Sequence, residues 1–404
     1  MTARTSHRGT VVLGVSSSIA AYKAADLTSK LVQSGVDVHV VMTQNATNLV
    51  RPQTFRTLSQ HPVITDLWSV PDWRPEHIAL AELAQVLVIA PATANVLAKL
   101  ANGIADDALT TFALAHEGPL IVAPAMNPRM WRNPAVRENC RRLQGRGVTI
   151  VAPESGRVAC GTDTEPGRLA DVSRIVSTTL AHLAGLSLRR DSTDRQKILV
   201  TAGPTREVID PVRFISNKSS GKMGYACAEM ALAAGHDVTL ISGPAATAPP
   251  PGCRFIAIES AADMAVTVRR EFPDCNLLIM CAAVGDYRPA TPAQQKIKKT
   301  KGKLTLTLER TEDILAIVAS LRKPTQKVVG FAAETVNVDA NAVEKLHAKK
   351  LDMIVANDVS RQDAGFGTDE NVVTLYLPDG TKHSLPRMLK IDVAAEILRH
   401  TLPL

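Results

Sequence analysis

The strongest constraint on this chain's fold is a rhythm. Short, almost wholly apolar runs recur, each followed by a stretch with helical spacing, and the pattern plays through twice. The first series is Val11–Val15, Val36–Met42, Val86–Ala90, Leu120–Ala123 and Val148–Val151. The second is Lys197–Thr201, Asp237–Ser242, Arg254–Ile258, Leu277–Ala282, Lys327–Phe331 and Met353–Ala356, with a hairpin expected at Val372–Leu377 and Thr381–Leu385. A strand that is apolar on both sides is covered on both sides, so runs of this kind separated by helices build parallel sheets between helical layers. Polar, aperiodic Gly185–Gln196 lies between the two series. The expected architecture is α/β: two doubly wound three-layer domains, residues 1–184 and 197–404, joined by a linker at 185–196.

Length agrees, because 404 residues at about 150 per domain make two to three domains. Such a chain buries enough core to need no disulfide or structural metal. Its six cysteines (Cys140, Cys160, Cys227, Cys253, Cys275, Cys281) form no CxxC and no cluster with histidine, which argues against zinc and against a disulfide scaffold. Aromatic residues at 3% are too few for a base-stacking single-strand binder. The net charge of +7 is mild and suits small anionic substrates better than a nucleic-acid backbone. The start, MTARTSHRG, has no apolar segment of a secretory signal, and no run approaches the ~18 apolar residues of a membrane span. A cytoplasmic enzyme is expected.

Doubly wound domains bind ligands at the carboxyl ends of their strands. The first strands run into Gly14-Val-Ser-Ser-Ser-Ile-Ala-Ala21 and Ala202-Gly-Pro-Thr205, and each turn is expected to lead directly into a helix. Neither turn is GxGxxG. The second strands end at Val41-Met-Thr43 and Ile241-Ser-Gly243 without the acid that a nicotinamide cofactor's ribose wants. Hydroxyls in those places suit a phosphate.

In the first domain, His77 lies at the start of a helical stretch, in Glu76-His-Ile-Ala-Leu80. Pro124-Ala-Met-Asn-Pro-Arg-Met-Trp131 follows a strand, where the Asn127 amide can meet a ligand carboxylate. Cys160 stands in the glycine-flanked loop Glu154-Ser-Gly-Arg-Val-Ala-Cys-Gly161, where a thiol can act as acid or nucleophile. In the second domain, Ser216-Asn-Lys-Ser-Ser-Gly-Lys-Met-Gly224 resembles a P-loop only superficially, since Met223 follows Lys222, but small residues before a helix still make an anion cradle. Asp286, in Ala282-Ala-Val-Gly-Asp-Tyr-Arg-Pro289, sits at a sheet edge, where a carboxylate can hold hydrated Mg²⁺ against a triphosphate. The run Lys296-Ile-Lys-Lys-Thr-Lys-Gly-Lys303 precedes an expected strand Leu304–Leu308 and reads either as a solvated loop or as a lid over phosphates. Lys345 and Lys349, four apart, share one helix face.

Taken with Pro91-Ala-Thr-Ala-Asn95 and Lys99-Leu-Ala-Asn-Gly-Ile-Ala-Asp-Asp107, the first-domain segments resemble the flavin-containing cysteine decarboxylases, in the same order. The second domain resembles phosphopantothenoylcysteine synthetase. Nearly end to end, the chain is similar to the bifunctional coenzyme A biosynthesis family, in which phosphopantothenoylcysteine decarboxylase is fused to phosphopantothenate–cysteine ligase. The resemblance implies a flavodoxin-like flavoprotein domain followed by a Rossmann-like synthetase domain. It implies FMN held by Gly14, Ser16, Ser18, Thr43, Ala92, Thr93 and Asn95. His77 corresponds to the active-site histidine, Asn127 contacts the substrate carboxylate, and Cys160 donates a proton to the enethiolate left by decarboxylation. In the second domain it implies CTP with Mg²⁺ at Asp286, and nucleotide contacts from Lys296, Thr311, Glu312, Asp313, Ile314, Phe331, Lys345 and Lys349. Lys296 is expected to support the acyl-cytidylate, and Asn217 its conversion by cysteine. Spacing alone does not separate cytosine from adenine. Homo-oligomers, up to a dodecamer, are likewise implied by the family alone.

Three places depart from the family pattern. Ser17-Ser18 stands where Gly-Gly is usual, and Cys160-Gly-Thr-Asp-Thr-Glu-Pro-Gly-Arg168 is one residue longer than the usual flap and lacks its middle glycine. The Thr311-Glu-Asp-Ile314 turn replaces Asn-Pro-Asp-Ile. The rival readings are a flavin module that regulates a partner, a nicotinamide oxidoreductase and a basic nucleic-acid binder.

Overall fold

The computed structural model describes residues 8–68, 76–156, 165–188, 195–299, 303–334, 337–358 and 367–402. It divides into two compact units, Met1–Leu183 and Ala184–Leu404.

The first unit is built on β1 (Thr10–Val15), β2 (Asp37–Met42), β3 (Val63–Ile64), β4 (Val86–Ala92), β5 (Leu120–Pro124) and β6 (Thr149–Ile150). These strands are parallel, in the order β3-β2-β1-β4-β5-β6. Without two-residue β3, which is too short to stand out in the sequence, the order is the flavodoxin type. The connecting helices are α1 (Ala21–Gln33), α2 (Pro52–Ser59), α3 (Glu76–Leu83), α4 (Ala94–Asn102), α5 (Ala108–Ala115), α6 (Pro128–Arg132), α7 (Pro134–Gly145) and α8 (Val172–Leu186). A small hairpin, β7 (Glu154–Ser155) with β8 (Pro166–Arg168), stands outside the main sheet. Val11, Val12, Leu13 and Leu87, Val88, Ile89 are fully buried, as apolar runs covered by helices on both sides must be. Each such side chain contributes about 1.5–3 kcal/mol by leaving water. The last helix of this series, α8, runs on to Leu186, into the first residues of the expected linker at 185–196.

The second unit opens with β9 (Lys197–Ala202). An antiparallel hairpin, β10 (Arg206–Asp210) with β11 (Arg213–Ser216), then intervenes before α9 (Lys222–Ala233). This corrects the expectation of a turn leading straight to a helix. There follow β12 (Asp237–Ser242), β13 (Arg254–Ala257), α10 (Ala261–Glu271), β14 (Leu277–Met280), β15 (Tyr287–Pro289), β16 (Leu308–Arg310), α11 (Ile314–Leu321), β17 (Lys327–Glu334), α12 (Val338–Ala348) and β18 (Met353–Asp358). The chain closes with β19 (Glu370–Asn371), β20 (Val373–Tyr376), β21 (Lys382–Ser384), β22 (Met388–Leu389) and α13 (Lys390–Thr401). The sheet runs β13-β12-β9-β14-β17-β18, parallel and in Rossmann order, with antiparallel β20 and β21 appended as the expected hairpin. The strand expected at Leu304–Leu308 is displaced: only Leu308–Arg310 pairs, antiparallel to β15. Strand order reverses between β1 and β4 in one unit and between β9 and β14 in the other, and each reversal opens a crevice at the strands' carboxyl ends.

Candidate active sites

In the first unit that crevice is a cavity of about 480 Å³. Ser17, Ser18, Lys23, Thr93, Asn127, Gly167 and Arg168 line it, alongside Ile19, Tyr22 and Met130. Segments far apart in sequence meet here because β1, β4 and β5 are neighbours.

The turn after β1 is tied to the end of β4. Ser16 Oγ donates to Pro91 O at 2.7 Å and accepts from Thr93 N–H at 3.0 Å. Ser16 is only 1% exposed, and its single proton goes to Pro91, so it frames the cleft and has no proton left for a phosphate. Gly14 also differs from expectation. It lies inside β1, where a Cβ would come within 2.4 Å of Leu109 Cδ1, so its small size seats α5 against the sheet. Ser18 accepts a long 3.4 Å bond from Ala20 N–H. Thr43 ends β2, and its backbone N–H reaches Val15 O at 3.0 Å. Its buried Oγ1 has no partner among the described residues. An orphaned hydroxyl beside a serine turn fits an anionic group. Thr93 caps α4 by accepting from Val96 N–H at 3.3 Å, Ala92 is fully buried, and Asn95 is exposed in the first turn of α4.

Asn127 caps α6, its Oδ1 accepting from Arg129 N–H at 2.9 Å. The β7–β8 hairpin is stitched to the same loop, with Met126 N–H donating to Gly167 O at 2.9 Å. A Cβ on Gly167 would lie 2.5 Å from Met126 O, so the approach needs a glycine. Cys160 falls between the two hairpin strands, outside the described residues, while the base of its loop reaches the cavity wall at Gly167 and Arg168. His77 lies in the first turn of α3, and its side chain is outside the described set. Sequence reasoning missed Lys23: its burial, then the neighbouring Arg168, push its ammonium below the ordinary value, while Asp171 and Glu154 oppose. Two cations on one wall mark an anion-binding side of the cavity.

In the second unit the loop after β14 is laced to the segment after β9. Ala283 N–H donates to Gly203 O (2.9 Å), Thr205 N–H to Ala283 O (3.2 Å) and Gly285 N–H to Thr205 Oγ1 (2.9 Å). Asn217 Nδ2 donates to Ala283 O and Val284 O, both at 3.2 Å. Thr311 joins the same knot: its N–H reaches Asp286 O at 3.0 Å and its hydroxyl Gly285 O at 2.6 Å. The backbone of Asp286 is thereby fixed while its carboxylate stays exposed.

Lys296 is exposed, but its neighbour is clamped. Buried Asp210 accepts from Ile297 N–H at 3.1 Å, and Arg213 donates to Ile297 O at 3.2 Å. Asp210 also accepts from the Val212 and Arg213 N–H groups at 2.8 Å, so the β10–β11 turn and the lysine segment form one piece. Sequence reasoning missed this residue too. Lys345 Nζ donates to Phe331 O at 3.0 Å, and Lys349 pairs with Asp313, which caps α11. Partial burial would raise the Asp313 carboxyl, but Lys349 and the Ala316 N–H outweigh it and hold it below the usual value. Two of the expected nucleotide residues also serve the fold. Ile314 is 4% exposed and belongs to the core, and Glu312 pairs with Arg269 of α10 at 2.6 Å. Lys222, in the first turn of α9, donates to Asp369 (2.7 Å) and Gly367 O (2.9 Å). A second cavity, at β13 and α10, holds none of the expected residues.

Fold and site together define a two-unit α/β protein: a flavodoxin-type unit whose crevice carries two cations, then a Rossmann-type unit with an exposed carboxylate after β14 and lysines held at Phe331 and Asp313. Residues 2–184 match the family model described as Flavoprotein, and residues 193–403 match the DNA/pantothenate metabolism flavoprotein C-terminal domain. The Coenzyme A biosynthesis bifunctional protein CoaBC of Bacillus subtilis is 47% identical over 96% of this chain and 95% of its own length. Its Escherichia coli K12 counterpart is 43% identical over 92% and 91%. The solved C-terminal domain of a CoaBC protein is 42% identical, covering 52% of this chain and 94% of that one, with a TM-score of 0.44. The chain belongs to the family of bifunctional coenzyme A biosynthesis enzymes, a decarboxylase and a ligase on one polypeptide.

Proposed function

We propose that the second unit joins 4′-phosphopantothenate to L-cysteine through an acyl-cytidylate formed from CTP, and that the first unit decarboxylates the product to 4′-phosphopantetheine with FMN. The observation that carries this reading is the cavity after β1, β4 and β5. It collects Ser18, Thr93 and Asn127, and β8, the strand that follows the Cys160 segment in sequence, is pinned at its edge through Gly167.

The orphaned Thr43 hydroxyl and the Ser18 turn fit the FMN phosphate, with Ala92, Thr93 and Asn95 along the rest of the cofactor and Gly14 and Ser16 framing it. When bound, FMN would take two electrons from the cysteinyl group so that its carboxylate can leave as carbon dioxide, and would return them as the enethiolate is reduced. Asn127 orients that carboxylate, Lys23 and Arg168 favour anionic substrate on their side, and Cys160 returns a proton to the enethiolate. His77, at the start of α3, serves as the active-site histidine.

For the ligase, the phosphopantothenate carboxylate attacks the α-phosphorus of CTP and pyrophosphate leaves. The cysteine amine then attacks the acyl carbon and CMP departs. Lys296, Lys345 and Lys349 offset charge on the phosphates, Phe331 and the Thr311–Ile314 turn border the nucleotide, and Asp286 offers one carboxylate to Mg²⁺. Asn217, anchored on the Ala283 and Val284 carbonyls, supports the cysteine step.

Ile19, Tyr22 and Met130 are 65%, 64% and 47% exposed at the cleft rim, which supports homo-oligomerisation, and the dodecamer rests on the family resemblance. No described helix is long and apolar enough to cross a membrane, and a cytoplasmic location is part of this proposal. Similarity along both units does not favour a purely regulatory flavin module.

The test is to assay the purified protein with CTP, phosphopantothenate and cysteine. Lys296→Gln is expected to abolish pyrophosphate release yet still decarboxylate supplied phosphopantothenoylcysteine, and Cys160→Ser the reverse. Pyrophosphate release untouched in Lys296→Gln contradicts the assignment.

A further inference from the structure

The chemistry proposed above leaves one cluster unused, at the amino end of the first sheet. Asp37 opens β2, His39 follows two residues on and so shares its face, and His61 lies between α2 and β3. Asp37 Oδ1 is 2.7 Å from His61 Nε2, and Oδ2 is 3.3 Å from His39 Nε2. One ligand atom from each of the three falls within 4.8 Å of the others. The two imidazoles stack with centroids 4.0 Å apart and planes 19° from parallel, so both Nε2 atoms converge on a single carboxylate. Their side chains are 24% (Asp37), 18% (His39) and 34% (His61) exposed, sheltered yet open to a water molecule.

Two imidazole nitrogens and a carboxylate oxygen form the donor set of zinc-class ions, whereas magnesium and calcium prefer all-oxygen shells. Bonds of about 2.0–2.1 Å in a tetrahedron place ligand atoms about 3.3 Å apart. The two Nε2 atoms lie 2.7 and 3.3 Å from the two oxygens of Asp37, close to that spacing, and the stacked imidazoles must rotate about their side-chain bonds to turn both in-plane lone pairs toward one ion. Asp37 and His39 stand six and four residues before Thr43, about 20 and 13 Å along the strand, and none of the three residues lines the cleft.

We propose that Asp37, His39 and His61 form a binding site for one divalent transition-metal ion of the zinc class, with water completing the shell. The ion clips the turn before edge strand β3 to β2.

The experiment uses full-length protein stripped with a chelator and titrated with zinc or magnesium, beside His39→Asn and His61→Asn. Wild type is expected to bind one more zinc per chain than either variant and to unfold at a higher temperature with zinc, a rise that magnesium does not give. Decarboxylase and ligase rates measured without zinc should match among the three. Imidazole-nitrogen NMR on the wild type alone guards against a variant that folds poorly: zinc must shift two histidines. Equal zinc uptake by wild type and folded variants, an equal effect of magnesium, or unmoved histidine signals would overturn the proposal.

Discussion

Ser16→Ala tests whether this serine frames the cleft or binds the cofactor. The hydroxyl donates to Pro91 O at 2.7 Å and accepts from Thr93 N–H at 3.0 Å in a position 1% exposed. Alanine leaves the part-buried Thr93 N–H without its partner, a cost of up to about 1–3 kcal/mol. Pro91 O keeps a 3.3 Å bond from Ser16 N–H, so that side loses only an ordinary hydrogen bond, about 0.5–1.5 kcal/mol. The sum is about 3 kcal/mol, and at about 2–4 °C per kcal/mol for a domain of this size the first unit should melt about 6–12 °C lower. Calorimetry measures this, and flavin fluorescence follows cofactor release. Ser18→Ala is the control: it removes only a 3.4 Å bond from Ala20, so its melting temperature should barely move while FMN is held more weakly. A Ser16→Ala protein melting within about 1 °C of wild type, or a larger loss in Ser18→Ala, refutes the argument.

Gly167→Ala should drive a methyl group into Met126 O, lift the hairpin from the Asn127 loop and slow decarboxylation while CTP-dependent pyrophosphate release stays normal; paired assays on one preparation decide it. Asp210→Ala frees the Ile297 N–H and lets the Lys296 segment drift, so ligase turnover should fall on the order of 100-fold with decarboxylation unchanged, as steady-state kinetics will show. Lys390 supplies a pH signature. Its burial, then nearby Lys222, push its pKa down to about 8, against Asp369, Cys281 and Glu370. Above about pH 8 the unfolded chain holds a proton that the folded one has released, so stability from this site rises between about pH 8 and the ordinary lysine value of about 10.4. Urea midpoints at pH 7 and pH 9.5 should therefore diverge for wild type relative to Lys390→Met; parallel midpoints contradict the shift.

The parallel strands were legible because burial on both faces leaves an uninterrupted apolar run, as in Val86–Ile89 and Leu277–Met280. Short polar pairings were not. The hairpin Arg206–Asp210 with Arg213–Ser216 buries the polar Glu207 and Asp210 and exposes Val208, so no apolar pattern marks it, and β3 has only two residues. At the site, strand-end segments could be read because the fold brings strand ends together, which is why Ser18, Thr93 and Asn127 share one cavity. What individual residues do there depends on partners remote in sequence. Gly14 is small because of Leu109, Ser16 answers to Pro91 and Thr93, and Asp210 holds Ile297, 87 residues away. Ile314 kept the family's residue type yet belongs to the core, since a hydrophobic side chain just inside a helix packs inward whatever lies across the turn.

The account's central claim is that both units act in turn on one molecule, and an isotope tests it directly. L-Cysteine labelled with carbon-13 at its carboxyl group, given with phosphopantothenate and CTP to the flavin-loaded protein, should release labelled carbon dioxide in step with pyrophosphate, and none when CTP is withheld. Pyrophosphate appearing without labelled carbon dioxide, or labelled carbon dioxide appearing without CTP, would contradict it.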